Sequence, residues 1–507
     1  MLARISIGIA AMMIGTLALA AFVGGVRSAE NRYPVATGER GPAGLERFYR
    51  QDVAWKQCAG ALCTWVRVPL SYDQPAGPTI RLRVKLRPAA DKSDGAVFIN
   101  PGGPGGSGVD YVDSFASLTS DAILTKRDII GFDPRGVGRS KPLKCLSDRA
   151  FDKVVALDPD PATPKEAAAL HRGFASLGKA CVKSSGAISA HVSTDEVARD
   201  LDVLRALMGQ QTLDYYGASY GTQIGATYAE LFPRHTGAMI LDGAVDPSLT
   251  KERQGLAQAK SFQRSLDAYV ADCFDAGSCP LGTTPKEASA MIVSLLSSLE
   301  ETPIKTRFDR RLTEGMAVYA IAYAMYDPDS WSVLTTGLVR ASFGDGSILL
   351  RLSDQYYGRR EDGTYRSNAA QAFFAVRCLD YPEAPTDSEI RDLLPAYRDA
   401  SAVFGGVMAW SAAECRGWPA SSDHPQQPVT GAGASPIMVI GSTRDPATPY
   451  AWAKSLASDL DSGILVKRKG DGHTGYGIGN ACVDRAVNRY LTSREPPDGP
   501  VTCDNSR

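Results

Sequence analysis

Residues 214–222 read DYYGASYGT, and the reading of Ser219 within them decides the fold. Gly217-x-Ser219-x-Gly221 is the spacing of a nucleophile on a sharp strand-to-helix turn, where flanking glycines let backbone segments pass closely. The chain holds 49 glycines, so the pentapeptide alone does not separate a nucleophile from a chance match. Its surroundings have to. Upstream, Ser193 and Glu196 have the spacing of a capping box, and Val197, Leu201, Leu204 and Met208 form an apolar stripe, which predicts a helix ended by Gly209. Residues 212–216 predict a short strand running into the turn. Downstream, Ile224, Tyr228 and Leu231 recur at helical spacing up to Pro233, and residues 238–241 predict another buried strand. Ser219 therefore sits between a strand and a helix in an alternating β/α series. Such a series implies a doubly wound, mainly parallel sheet with helices on both faces.

The series extends outward. In TIRLRVKLR, residues 79–87, Ile80, Leu82, Val84 and Leu86 alternate with basic residues, the pattern of a half-buried antiparallel strand. Residues 96–99 and 128–132 are short apolar runs of the kind buried on both faces. From about 250 to 425 the strand signals stop and helical patterns follow one another, which predicts an inserted all-helical cap. Alternation resumes with a strand at 437–440, a helix near 451–460, a strand at 464–466 and a last helix carrying Val483, Val487 and Leu491. The expected division is an export segment at 1–29, a first core segment at 45–250, a cap at 251–425 and a second core segment at 426–507.

Composition narrows the function classes. A net charge of -1 without basic runs argues against a nucleic-acid partner. Arg4, the apolar stretch 5–23 and the small residues beyond it read as an export signal, with Val26 and Ser28, or Ala18 and Ala20, placed for cleavage. An uncleaved anchor is the alternative, and membrane association is expected only through this segment. All ten cysteines follow it, an even count that suggests disulfides in an exported chain. Pairing sequence neighbours gives Cys58–Cys63, Cys145–Cys181, Cys273–Cys279, Cys378–Cys415 and Cys482–Cys503. With no C-x-x-C pair and five histidines, neither a metal nor another cofactor is expected.

A serine hydroxyl needs an oriented base, and on this architecture the order is serine, acid, histidine. Only His235, His424 and His473 follow Ser219. His235 ends the serine's own helix, leaving no core strand for an acid between them, and His424 lies in a polar, proline-rich loop. His473, in GDGHTGY after the strand at 464–466, is selected. Asp445 follows the strand at 437–440 and is the expected acid; Asp459, Asp461 and Asp471 compete less well, being at a surface helix end or too near His473. The loop NPGGPGGSG, 100–108, follows a strand as an oxyanion loop should, and the N–H groups of Gly103 and Tyr220 are the expected donors. Gly103-x-Gly105-x-x-Gly108 with Asp133 also matches a dinucleotide fingerprint loosely, but Pro104 and the serine constellation tell against it.

NPGGPGGSG, DIIGFDPRGVGRS, YYGASYGTQIGATYAELFP, LDGAVDP, STRDPATPY and GDGHTGY, in this order, resemble the secreted tripeptidyl aminopeptidases, serine peptidases of the prolyl-iminopeptidase-like branch of the α/β-hydrolases. The resemblance spans nearly the whole chain after the export segment, from an entry strand VPLSYDQP at 68–75 to CVDRAVNRYL. It implies Ser219, Asp445 and His473 as nucleophile, acid and base, and release of short peptides, commonly tripeptides, from the free N-termini of peptide substrates. Prolyl iminopeptidases proper have a histidine where this chain has Pro101, which argues against strict single-proline release. A carboxylesterase would use the same triad, and a catalytically silent surface-binding protein is the reading from another class. An enzyme that measures from a free α-amino group needs a carboxylate for the ammonium, and Asp380, two residues after Cys378 in the cap, is the expected partner.

Overall fold

The computed structural model describes residues 33–277 and 279–504; the expected export segment at 1–29 lies outside them. Ten strands form one sheet: β1 Lys56–Cys58, β2 Ala61–Pro69, β3 Thr79–Arg87, β4 Ala96–Asn100, β5 Asp128–Phe132, β6 Leu213–Ala218, β7 Thr236–Asp242, β8 Ile437–Arg444, β9 Gly463–Asp471 and β10 Val501–Cys503. Their spatial order is β1-β2-β3-β5-β4-β6-β7-β8-β9-β10. β1 to β3 are antiparallel to one another and β3 is antiparallel to β5, while the pairs from β5 to β10 are parallel. The alternation in β3 buries Ile80, Leu82, Val84 and Leu86, and the apolar run in β4 is buried throughout, as expected of an edge-side and a central strand.

Both faces of the sheet are covered. On one, Val197, Leu201 and Leu204 of the helix Thr194–Leu207 and Ile224 and Tyr228 of the helix Tyr220–Leu231 pack on Val66, Val84 and Tyr215. On the other, Val112 and Phe115 of Gly108–Leu118 and Val483, Val487 and Leu491 of Ala481–Ser493 pack on Ile99, Ile129, Ile240 and Ile440. Each fully buried aliphatic side chain contributes about 1.5–3 kcal/mol, which makes these two layers the main source of stability. This is the α/β-hydrolase fold. The strand order reverses between β4 and β6, so the loop after β4 and the turn after β6 flank the crevice where such sheets bind ligands.

Between β7 and β8 the chain forms helices with a hydrophobic core of their own, centred on Phe262, Ile292, Leu295, Ile321, Leu338 and Leu349. The earlier helix Pro164–Ser185 joins this upper layer, packing Ala167 and Leu170 against Ile390, Leu394 and Trp410. Two local expectations fail. Ser193 makes no side-chain cap; Thr194 N–H donates instead to Asp380 Oδ1 (2.8 Å), and Glu196 pairs with Arg135 (3.1 Å) and His191 (2.9 Å). Ser193 Oγ donates to Glu196 within its own turn (3.4 Å), while Thr194 N–H and the Glu196 carboxyl find partners across the tertiary fold. The entry strand ends at Pro69 rather than 75, because residues 70–78 turn back, with Leu70 N–H donating to Pro78 O (2.8 Å).

Candidate active site

Ser219 stands at the N-terminus of Tyr220–Leu231 with φ 55° and ψ -124°. A non-glycine residue held there costs on the order of 1–3 kcal/mol, which surrounding contacts must offset. Ser219 N–H donates to Asp242 O (2.8 Å), and Ser219 O accepts from Thr222 N–H (2.8 Å) and Thr222 Oγ1 (2.5 Å). The loop after β4 presses on this turn. A Cβ on Gly102 would lie 2.5 Å from Ala218 O, 2.9 Å from Ser219 Cβ and 3.0 Å from Tyr220 N, and Gly102 has φ +90°. Only glycine lets the loop lie so close to the serine.

Gly102 N–H donates to Asn100 Oδ1 (2.9 Å). The N–H groups of Gly103 and Tyr220 have no acceptor among the described residues, and both residues line the cavity above Ser219. Asp133, the acid of the dinucleotide pattern, is fully buried, holds the same loop through Ser107 Oγ and Val109 N–H (3.3 Å), and holds the turn after β5 through Arg139 N–H (2.8 Å). It cannot reach a ribose.

His473 Nδ1 lies 2.9 Å from both carboxylate oxygens of Asp445. Asp445 is fully buried and also accepts from Ala447 N–H (3.0 Å), Thr448 N–H (2.8 Å), Thr448 Oγ1 (3.0 Å) and Thr474 N–H (3.2 Å). So many donors fix the direction of the carboxylate. Burial works against the His473 imidazolium, but the Asp445 charge and hydrogen bond outweigh it, and the imidazole pKa is raised above its ordinary value. Tyr326, just after the cap helix Glu314–Met325, covers the ring edge-on at 5.2 Å, and its carbonyl accepts His473 N–H (2.9 Å).

Nε2 of His473 is buried and has no hydrogen-bond partner among the described residues, so no bond joins it to Ser219 Oγ in this structure. The two residues meet across the end of β7: Asp242 O holds the Ser219 amide, and a Cβ on the next residue, Gly243, would lie 3.2 Å from His473 Cε1. The Asp242 carboxyl braces the histidine loop from below, accepting Tyr476 N–H (2.9 Å) and Tyr216 OH (2.9 Å). Sequence reasoning passed over Asp242, Thr448 and Tyr326; Thr448, three residues after Asp445, was the one a local pattern could have indicated. The competing residues sit elsewhere: His235 on Asp202 (3.0 Å), His424 on Asp73 (3.1 Å), and Asp471 on Arg444, while Asp459 and Asp461 are exposed.

The cavity above Ser219 measures ≈ 230 Å³ and is walled largely by cap aromatics, among them Tyr319, Tyr326, Tyr356, Phe373 and Phe404. Its charged lining residues are Arg377, Asp380 and Glu414. Glu414 receives Arg377 Nε (2.8 Å) and Lys251 Nζ (3.0 Å), so its charge is compensated. Asp380, 3% exposed, ends the helix Ala369–Asp380 and is not ion-paired among the described residues. Its carboxyl accepts from Thr194 N–H, Thr194 Oγ1 (2.5 Å) and Gln223 Nε2 (3.3 Å), and burial pushes its pKa up to about 7. The disulfide Cys378–Cys415 ties Arg377 and Glu414, the residues just before its cysteines, into one wall.

The model of the TAP-like protein family matches residues 401–503, the stretch with Asp445 and His473. Serine protease Hip1 of Mycobacterium tuberculosis is 35% identical over 476 residues, 89% of this chain and 91% of that protein. Carboxylesterase B of the same organism is 37% identical over 459 residues, 87% and 86%. The tripeptidyl aminopeptidase of Streptomyces coelicolor is 30% identical over 477 residues, 90% and 87%.

Proposed function

Since this chain belongs to the TAP-like family of α/β-hydrolases and is a serine hydrolase, we propose that it is an exported exopeptidase releasing short peptides, chiefly tripeptides, from free N-termini. Ser219 Oγ attacks the scissile carbonyl carbon while His473 Nε2 takes its proton, and Asp445 steadies the imidazolium that forms. The N–H groups of Gly103 and Tyr220 receive the oxyanion. His473 then protonates the leaving amine, and water hydrolyses the acyl-enzyme by the same steps in reverse roles. No step calls for a metal or cofactor.

The observation that carries the exopeptidase reading is Asp380, a cavity-wall carboxyl without an ion pair. A substrate ammonium is the partner that would draw it into its ionised form and offset the desolvation of both. Export rests on residues 1–29, with five disulfides in support. A carboxylesterase is the second reading, favoured by the aromatic side chains that line the cavity and by one relative's name.

Product analysis on a mixed peptide pool, free and N-acetylated, tests the proposal. Tripeptides from free N-termini only are expected, lost by several orders of magnitude in Ser219→Ala and His473→Ala, with little further loss on combining them. Equal cleavage of free and acetylated peptides would remove the amine-anchor reading. Hydrolysis of esters without peptides would establish the esterase, and failure to label with a fluorophosphonate would remove both.

A further inference from the structure

The cap helix Ser347–Tyr357 separates two cavities. Its last residues, Tyr356 and Tyr357, line the one above Ser219. Its Arg351 and Asp354 line a second concavity of ≈ 310 Å³, opening on the outer side of the cap, into which Arg310, Arg359, Arg360 and Arg366 also converge. Five arginines around one hollow are unusual in a chain whose net charge is -1.

Three of them are set in place by carboxylates. Arg310 is held by Asp354 (2.5 Å), Arg359 by both oxygens of Asp152 (2.8 and 3.0 Å), and Arg351 by Glu361. Arg360 donates only to neutral oxygens, Thr364 Oγ1 (3.3 Å) and Tyr365 O (3.1 Å), and the Arg366 guanidinium has no acceptor among the described residues. Five guanidiniums thus face the three carboxylates that hold them and a fourth, Asp362, which interacts electrostatically with Arg360 and Arg359, so the hollow keeps one positive charge in excess. The hydrogen bonds of Arg310 use only Nη2 and those of Arg351 only Nη1, so the remaining N–H groups of these forks stay available on oriented side chains.

We propose that this concavity binds a phosphate-bearing anion. Guanidinium forks match the oxygens of phosphate in geometry, so one phosphate group can accept from several of the free N–H donors at once while its charge offsets the cationic excess. The site lies outside the reactive cavity and does not depend on which substrate that cavity takes. Free inorganic anions and lipid headgroups share this chemistry.

Isothermal titration of the full-length protein with inorganic pyrophosphate at physiological salt tests the site. Saturable one-to-one binding is expected, weakened about tenfold or more by Arg360→Gln/Arg366→Gln, but unchanged by Arg172→Gln, an exposed arginine elsewhere. Both positions in the double variant are exposed, and an unaltered melting temperature without ligand would show that it is folded. Competition by phosphatidylglycerol vesicles would assign the site to a headgroup, and absence of competition to a free anion. No saturable binding, or equal loss in the Arg172 control, would overturn the proposal.

Discussion

His473 and Asp380 are each displaced from ordinary behaviour, the first by a neighbouring charge and the second by burial. For His473 the neighbour is Asp445, whose charge raises the imidazole pKa against burial. The base works unprotonated, so kcat/KM on an N-blocked ester should fall with decreasing pH through a value above about 6.5. Asp445→Asn should shift that limb to lower pH while lowering the rate on the order of 10⁴-fold; an unmoved limb would assign it to another group. The blocked ester matters, because Asp380 titrates in the same range. Burial pushes the Asp380 carboxyl up to about 7. The folded chain therefore keeps a proton that the unfolded chain releases near pH 4, and the stability this carries is present below that pH and lost as pH rises through about 7. Asp380→Asn retains an acceptor for Thr194 N–H without the charge. Its unfolding free energy from urea titration, relative to the parent, should rise between about pH 4 and 7 by a few kcal/mol at most, and a constant difference across that range would contradict the assignment. In the same variant, KM should rise for free-amine peptides and stay level for blocked esters.

At the scale of elements, the wall of the reactive cavity depends on how two cap segments are joined. Helix Ala369–Asp380 supplies Phe373, Arg377 and Asp380, the segment Ala412–Cys415 supplies Glu414, and Cys378–Cys415 fastens them across 37 residues. Removing a disulfide of that loop length costs about 2–5 kcal/mol. Cys378→Ser/Cys415→Ser should lower the urea midpoint accordingly and raise KM for peptides more than for small esters. An unchanged peptide KM would mean that packing alone holds the wall.

For the molecule as a whole, the five disulfides pair each cysteine with its sequence neighbour and leave no free cysteine. Thiol titration of the native protein should detect none, and ten after reduction in denaturant. Reduction should lower Tm, since two of the bridges, Cys378–Cys415 and Cys145–Cys181, lie in the helical layer above the sheet and beside it. Titratable thiols in the native form would contradict the pairing.

Periodicity by itself determined the alternating β/α series, the helical block between β7 and β8 and the strand-to-helix turn at Ser219, because local patterns report which face of an element is buried. The even cysteine count pointed to disulfides but left their connectivity open, and the neighbour pairing is set by the folded chain, which closes loops of up to 37 residues. Local pattern could not reach groups whose partners are distant in sequence. Glu196 has capping-box spacing to Ser193 but is taken by Arg135, and the carboxyl that caps that helix is Asp380, 186 residues further on. The lone pair on His473 Nε2, the Tyr326 ring over it and the compensated Glu414 beside the uncompensated Asp380 depend likewise on the docking of cap on sheet. Periodicity records burial, whereas the partner that a buried polar group meets is chosen only when the layers pack.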